Sequence, residues 1–153
     1  MKILLTTLNS KFIHTNLAIR YLNQMVKDIE DIDVDIREYT INNELDFILK
    51  DIYSNNYDVI LFSTYIWNVN DIVKICNNLK KVNKSVKIAL GGPEVTYDSE
   101  ESMKKYDFVD YILYGEGELV FRDFVKSLKG EIDIKDVDGL VYRNNGEVVK
   151  TNL

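Results

Sequence analysis

Asp58-Val59-Ile60-Leu61-Phe62-Ser63 is an almost unbroken apolar run. Strict alternation marks a strand with one wet face; an unbroken run bounded by polar residues marks a strand covered on both faces, the position of a central strand in a parallel sheet. The stretches on either side fit this. Leu45, Ile48, Leu49 and Ile52 before it, and Val69, Ile72, Val73, Cys76 and Leu79 after it, recur at helical spacing. Further out, residues 2–7 read as a buried strand, followed by a helix marked by Leu17, Tyr21, Leu22, Met25 and Ile29. Residues 34–39, Val-Asp-Ile-Arg-Glu-Tyr, alternate, as an edge strand does. Residues 86–90 form a fourth strand that Gly91-Gly92-Pro93 ends sharply, and a short helix spans 99–105. Residues 109–114 form a fifth strand, and Leu119, Val120, Phe124, Val125 and Leu128 mark the last helix.

Five strand–helix units in succession predict a parallel sheet with helices on both faces. The alternating second strand belongs at an edge, which gives the order 2-1-3-4-5 of the flavodoxin-like, or Rossmann-like, α/β class. The tail differs in kind. Residues 139–143, the turn Asn144-Asn145-Gly146 and residues 147–150 read as a β-hairpin, marginal alone and in need of something to pack on. The expected organisation is one domain over residues 1–130, then a linker and hairpin over 131–153 that lead to a catalytic domain this chain lacks. A longer open reading frame would support that expectation, and a stop codon after Leu153 would overturn it.

Composition narrows the chemistry. The 153 residues carry 19 Lys and Arg against 25 Asp and Glu, a net charge of -6 that poorly suits nucleic-acid phosphates or anionic lipid. Cys76 is the single cysteine and His14 the single histidine. Disulfides, cysteine-held clusters and histidine metal triads within the chain are thereby excluded. No apolar run approaches a membrane span, and the polar Thr6 comes too soon for a signal-peptide core, so a cytoplasmic domain is expected.

Ligands of open α/β sheets bind at the carboxyl ends of the strands, here the loops 8–16, 64–70, 91–98 and 115–118. The first has no glycine, which excludes a dinucleotide fingerprint or a P-loop. Thr and Ser stand where a phospho-receiver domain needs carboxylates, and no Gly-x-Ser-x-Gly elbow is present. Gly91-Gly92 lets a ligand lie against bare backbone, or simply makes a tight turn. Ser63 can bond a ligand or cap its loop. Phe12, Tyr65, Trp67 and Tyr97 offer flat faces for a planar ligand, or ordinary packing. Gly115-Glu116-Gly117-Glu118 permits close approach, with Glu118 suited to the helix start. His14 is a metal ligand or a plain loop residue; Cys76 falls on an apolar helix stripe and reads as core.

Taken together, these loops resemble the cobalamin-binding domain at the N-terminus of many radical S-adenosylmethionine enzymes, which include methyltransferases and the anaerobic magnesium-protoporphyrin monomethyl ester cyclases. The marks are the 9–16 loop, Ser63-Thr64-Tyr65, Leu90-Gly91-Gly92-Pro93-Glu94-Val95-Thr96, Tyr114-Gly115-Glu116-Gly117-Glu118 and Asp138-Gly139-Leu140-Val141-Tyr142-Arg143. The resemblance implies a corrin ring over the carboxyl edge. Its nucleotide tail would descend between the loops after the third and fourth strands, along Ser63 and Gly91-Gly92. The cofactor-binding residues it implies are Asn9, Ser10, Lys11, Phe12, Ser63, Thr64, Tyr65, Gly91, Gly92, Pro93, Glu94, Gly115, Glu116 and Gly117, with no catalytic and no metal-ligating residue. Better-known cobalamin domains carry Asp-x-His-x-x-Gly in the first loop, the histidine bonding cobalt. Here Asn9, Lys11 and His14 take the three places, and protonated lysine has no lone pair to give. Base-off cobalamin without a histidine ligand is therefore expected, its lower face open, water-bound or screened by side chains such as Phe12. The chain lacks the Cys-x-x-x-Cys-x-x-Cys motif, so the iron–sulfur cluster and S-adenosylmethionine would belong to the C-terminal radical domain of the same polypeptide. The competing expectation is a vestigial flavodoxin-like interaction module that has lost its cofactor, recognisable by a slot plugged by Tyr65 or Trp67. A third, a small enzyme acting alone, lacks any triad, phosphate loop or metal cluster.

Overall fold

The stretch from Val59 to Ser63 is buried at every position, and it forms the third strand of a sheet in a computed structural model that describes residues 1–11 and 15–153. The elements run β1 (Lys2–Asn9), α1 (Leu17–Met25), β2 (Asp33–Thr40), α2 (Leu45–Tyr53), β3 (Val59–Ser63), α3 (Val69–Val82), β4 (Lys87–Gly91), α4 (Pro93–Thr96), α5 (Ser99–Lys105), β5 (Tyr111–Leu113) and α6 (Gly117–Leu128). A 3-10 turn (Ile134–Asp136), β6 (Leu140–Asn144) and β7 (Glu147–Lys150) complete the chain. The sheet order is β2-β1-β3-β4-β5-β6-β7. The first five strands are parallel in the expected order, with the alternating β2 at the edge.

The hairpin is not an appendage to a five-stranded sheet. It continues the same sheet to seven strands, β6 pairing antiparallel with β5 and β7 with β6. Leu140, Val141 and Tyr142 are buried, and Leu140 sits opposite Leu113, so the hairpin shares the domain's core. Arg143 donates to the carbonyls of Met103, Tyr106 and Val109, matching a cation to the carbonyl end of α5. Asn145 and Gly146 both have positive φ (50° and 84°), the primed two-residue turn whose twist matches paired strands.

Strand alternation divides the interior into two layers. Ile3, Leu5, Val59, Leu61, Ala89 and Leu113 face α1 and α6, which pack on each other. Leu4, Ile60, Phe62, Ile88, Leu90 and Ile112 face α2, α3 and α5. Three details differ from the sequence reading. The first helix stops at Met25, β5 is only Tyr111–Leu113, and a single turn of helix follows β4. That turn begins at Pro93, whose fixed φ and absent N–H suit a first helical position. Among the described residues no helix is long and apolar enough to cross a membrane.

Candidate functional site

β3 and β4 end side by side, with Ser63 in register with Gly91. Each lies two residues beyond a side chain of the α1/α6 layer, Leu61 and Ala89, so both address that face. A cleft of about 340 Å³ opens there. Its floor is Leu61 and Leu113, one end is Ser63 and Gly91, and Ala18 and Leu22 of α1 close the helix side.

The two glycines do different work. Gly92 has φ +94°, and a Cβ there would lie 2.4 Å from the Thr64 carbonyl oxygen and 2.8 Å from its nitrogen. The turn itself demands glycine. A Cβ on Gly91 would meet only the Leu113 carbonyl oxygen, at an ordinary 3.8 Å. The fold has no need of glycine at 91, and its bareness keeps the cleft wide.

Ser63 is 6% exposed. Its carbonyl accepts from Thr7 Oγ1 (2.8 Å) and Asn68 Nδ2 (3.4 Å), while its hydroxyl has no hydrogen-bond partner among the described residues. A largely buried donor–acceptor facing a cleft is a group awaiting a polar partner. Tyr65 forms a wall of the cleft without plugging it. Its ring stacks on Trp67 with centroids 4.5 Å apart and planes 2° from parallel, and its hydroxyl accepts from Asn16 Nδ2 at 3.0 Å. The Trp67 indole donates to the Leu8 carbonyl.

The remaining predicted residues scatter. Gly92, Pro93, Gly115 and Gly117 line the cleft. Thr64 is wholly buried and outside it, its N–H and hydroxyl both given to the Gly91 carbonyl at 2.8 and 2.6 Å. Asn9 and Ser10 border a shallower hollow with Asn16, Tyr65 and Trp67, and Lys11 is exposed. Glu94 is exposed over a hollow beside α3 and α5, and Glu116 over another beside Leu119. Phe12 and His14 lie outside the described residues. Cys76 is buried as expected of a core residue, and burial pushes its thiol pKa up. Sequence reasoning missed the floor residues Leu61 and Leu113, the helix residues Ala18 and Leu22, and Thr96 on the rim. It also weighed Glu118 only as a helix start, although that residue lines the cleft.

Beside the Tyr65 wall of the cleft, Asn9 at the end of β1 and Asn16 before α1 are joined through a carboxylate. The Glu38 carboxylate accepts from the Asn16 backbone N–H (2.5 Å), Asn9 Nδ2 (3.2 Å) and Arg20 (2.6 Å). Burial pushes its pKa up, but these three donors outweigh that and hold it below the ordinary 4.5.

Residues 3–125 match the family described as B12 binding domain, and the chain belongs to that family. Its relatives include cobalamin-dependent radical S-adenosylmethionine enzymes. It is 28% identical over 134 residues to "uncharacterized methyltransferase PH0819" of Pyrococcus horikoshii, covering 86% of this chain and 28% of that protein. It is 31% identical over 93 residues to the cobalamin-dependent radical SAM methyltransferase TokK of Streptomyces tokunonensis, covering 60% of this chain and 14% of that one. The chain thus spans less than a third of the length of either relative. Its fold matches the cobalamin-dependent S-adenosylmethionine radical enzyme OxsB, solved with aqua-cobalamin and S-adenosylmethionine bound, at a TM-score of 0.82 and 21% identity. That match covers 99% of this chain and 22% of OxsB.

Proposed function

We propose that this domain holds cobalamin base-off for a cytoplasmic radical S-adenosylmethionine enzyme whose task is methyl transfer or tetrapyrrole modification. Residues 131–153, whose hairpin completes this domain's own sheet, lead on to the domain that holds the iron–sulfur cluster and S-adenosylmethionine. One observation carries the reading: a cleft of about 340 Å³ with the Ser63 hydroxyl, unpaired among the described residues, at one end, beside a glycine that the backbone does not require. The volume falls within the range of roughly 300–1,000 Å³ typical of small-molecule sites. The residues present therefore fit the nucleotide tail. Leu61 and Leu113 offer an apolar floor, the bare Gly91 leaves room, and the Ser63 hydroxyl can donate to or accept from one polar group.

Cobalamin, when bound, supplies cobalt-centred group transfer, while the protein orients it and excludes water. No protein histidine bonds the cobalt in this reading, because Lys11 stands in the place of the ligating residue and a protonated amine cannot coordinate. The open cleft disfavours a vestigial module, since Tyr65 and Trp67 leave the space free. The test is a visible-spectrum titration of the chain with hydroxocobalamin, followed by gel filtration. Retained cobalamin with a base-off spectrum, unchanged by His14→Ala, is expected. Loss of cofactor on the column, or a spectrum that depends on His14, would overturn the proposal.

A further inference from the structure

We propose that Asn68, which is not among the residues lining the cleft, sets the shape of its tail-binding end and is a positioning residue for the corrinoid. This rests on the reading that Ser63 and Gly91 receive the nucleotide tail. Asn68 is 1% exposed and immediately precedes α3. Its Nδ2 reaches three oxygens: the Leu8 carbonyl at 3.0 Å, Thr7 Oγ1 at 3.2 Å and the Ser63 carbonyl at 3.4 Å. Its Oδ1 accepts the Tyr65 N–H at 2.7 Å. The Thr7 hydroxyl donates to the same Ser63 carbonyl.

One buried amide therefore joins the ends of β1 and β3 to the first turn beyond β3. Ser63 and Tyr65, the two side chains that this segment presents to the cleft, are both held through their main-chain atoms. Among the described residues the Ser63 hydroxyl is left uncommitted, and the Tyr65 ring is kept at the wall. The carboxamide supplies donor and acceptor together from two separate atoms: a carboxylate has no hydrogen for these oxygens, and an apolar side chain satisfies neither group. Small displacements of supporting residues weaken a preorganised site more than they weaken a fold.

A merely structural role and a positioning role predict different things. Loss of scaffold weakens every corrinoid alike. Loss of position weakens only the one whose tail enters the cleft. The discriminating probe is cobinamide, which has the corrin but not the nucleotide tail. Dissociation constants for cobalamin and cobinamide are measured by visible titration for the parent chain, Asn68→Ala and Thr7→Val, each well below its melting midpoint. The parent is expected to prefer cobalamin. Asn68→Ala should lose about tenfold or more of that preference and Thr7→Val about threefold, with cobinamide affinity held within about twofold throughout. Equal weakening of both corrinoids, or an unchanged preference in folded variants, would overturn the positioning role. If Asn68→Ala does not fold, Thr7→Val, which keeps the side-chain shape, decides the question by the same ratio. A parent chain that retains neither corrinoid would bring down the cobalamin reading itself, and this proposal with it.

Discussion

At the ends of β3 and β4 the groups that shape the cleft are neutral and shut away from water, Thr64 at 0%, Asn68 at 1% and Ser63 at 6% exposure. At the ends of β1 and β2, Asn9 and Asn16 are joined instead by a carboxylate, with Arg20 about half exposed on one side of it. Amides and hydroxyls keep the same hydrogen-bonding character across the physiological pH range; a carboxylate keeps its own only while ionised. The two halves of one ligand edge should therefore respond differently to side-chain surgery and to acid.

The largest effect separates the adjacent glycines. Gly92→Ala forces a Cβ into the Thr64 backbone at positive φ and should cost roughly 3 kcal/mol or more, read as a fall in the denaturant midpoint. A midpoint close to the parent's would show that the turn can relax. Gly91→Leu has no comparable clash at its Cβ and directs its bulk into the cleft. We expect stability within about 1 kcal/mol of the parent and cobalamin affinity down by about tenfold or more, measured by titration. Undiminished affinity would show that the tail lies elsewhere.

The smallest effect belongs to the charged side. Glu38 titrates below its ordinary value in the folded chain, so its contribution is present above pH 4.5 and lost as pH falls through the folded pKa. Glu38→Gln should cost about 1 kcal/mol at pH 7, and the gap to the parent should close under acid. A gap that stayed constant down to pH 3 would mean that the carboxylate's charge is not what joins Asn9, Asn16 and Arg20. The Asn68 and Ser63 contacts should show no such dependence.

Much of this was legible in the sequence, for particular reasons. The unbroken 59–62 run and the alternating 34–39 segment placed the central and edge strands, because burial on two faces or one writes itself into the residue pattern. Asn145-Gly146 announced its turn but not its neighbour, since a turn is local and pairing with Tyr111–Leu113 is not. At the site, strand ends and glycines pointed to Ser63 and Gly91. Thr64 stands next to Ser63 in the sequence motif, yet in extended chain the next side chain turns to the opposite side. Glu94 and Glu116 stand close to glycines in the sequence, but in α4 and at the start of α6 they are exposed. Leu61, Leu113, Ala18 and Leu22 line one cavity from three separate elements, a convergence that no local window contains.

The hairpin has a consequence for life in a crowded solution. Without it, β5 would offer an unpaired row of backbone groups along Tyr111-Ile112-Leu113, a short apolar invitation to a strand from another molecule. With it, the outermost strand on that side is four residues long and ends in Glu147 and Lys150, both exposed. The opposite rim, β2, carries Asp33, Asp35, Arg37 and Glu38. Any molecule seeking to extend the sheet meets charge at both rims, which discourages the edge-to-edge growth that leads to aggregates.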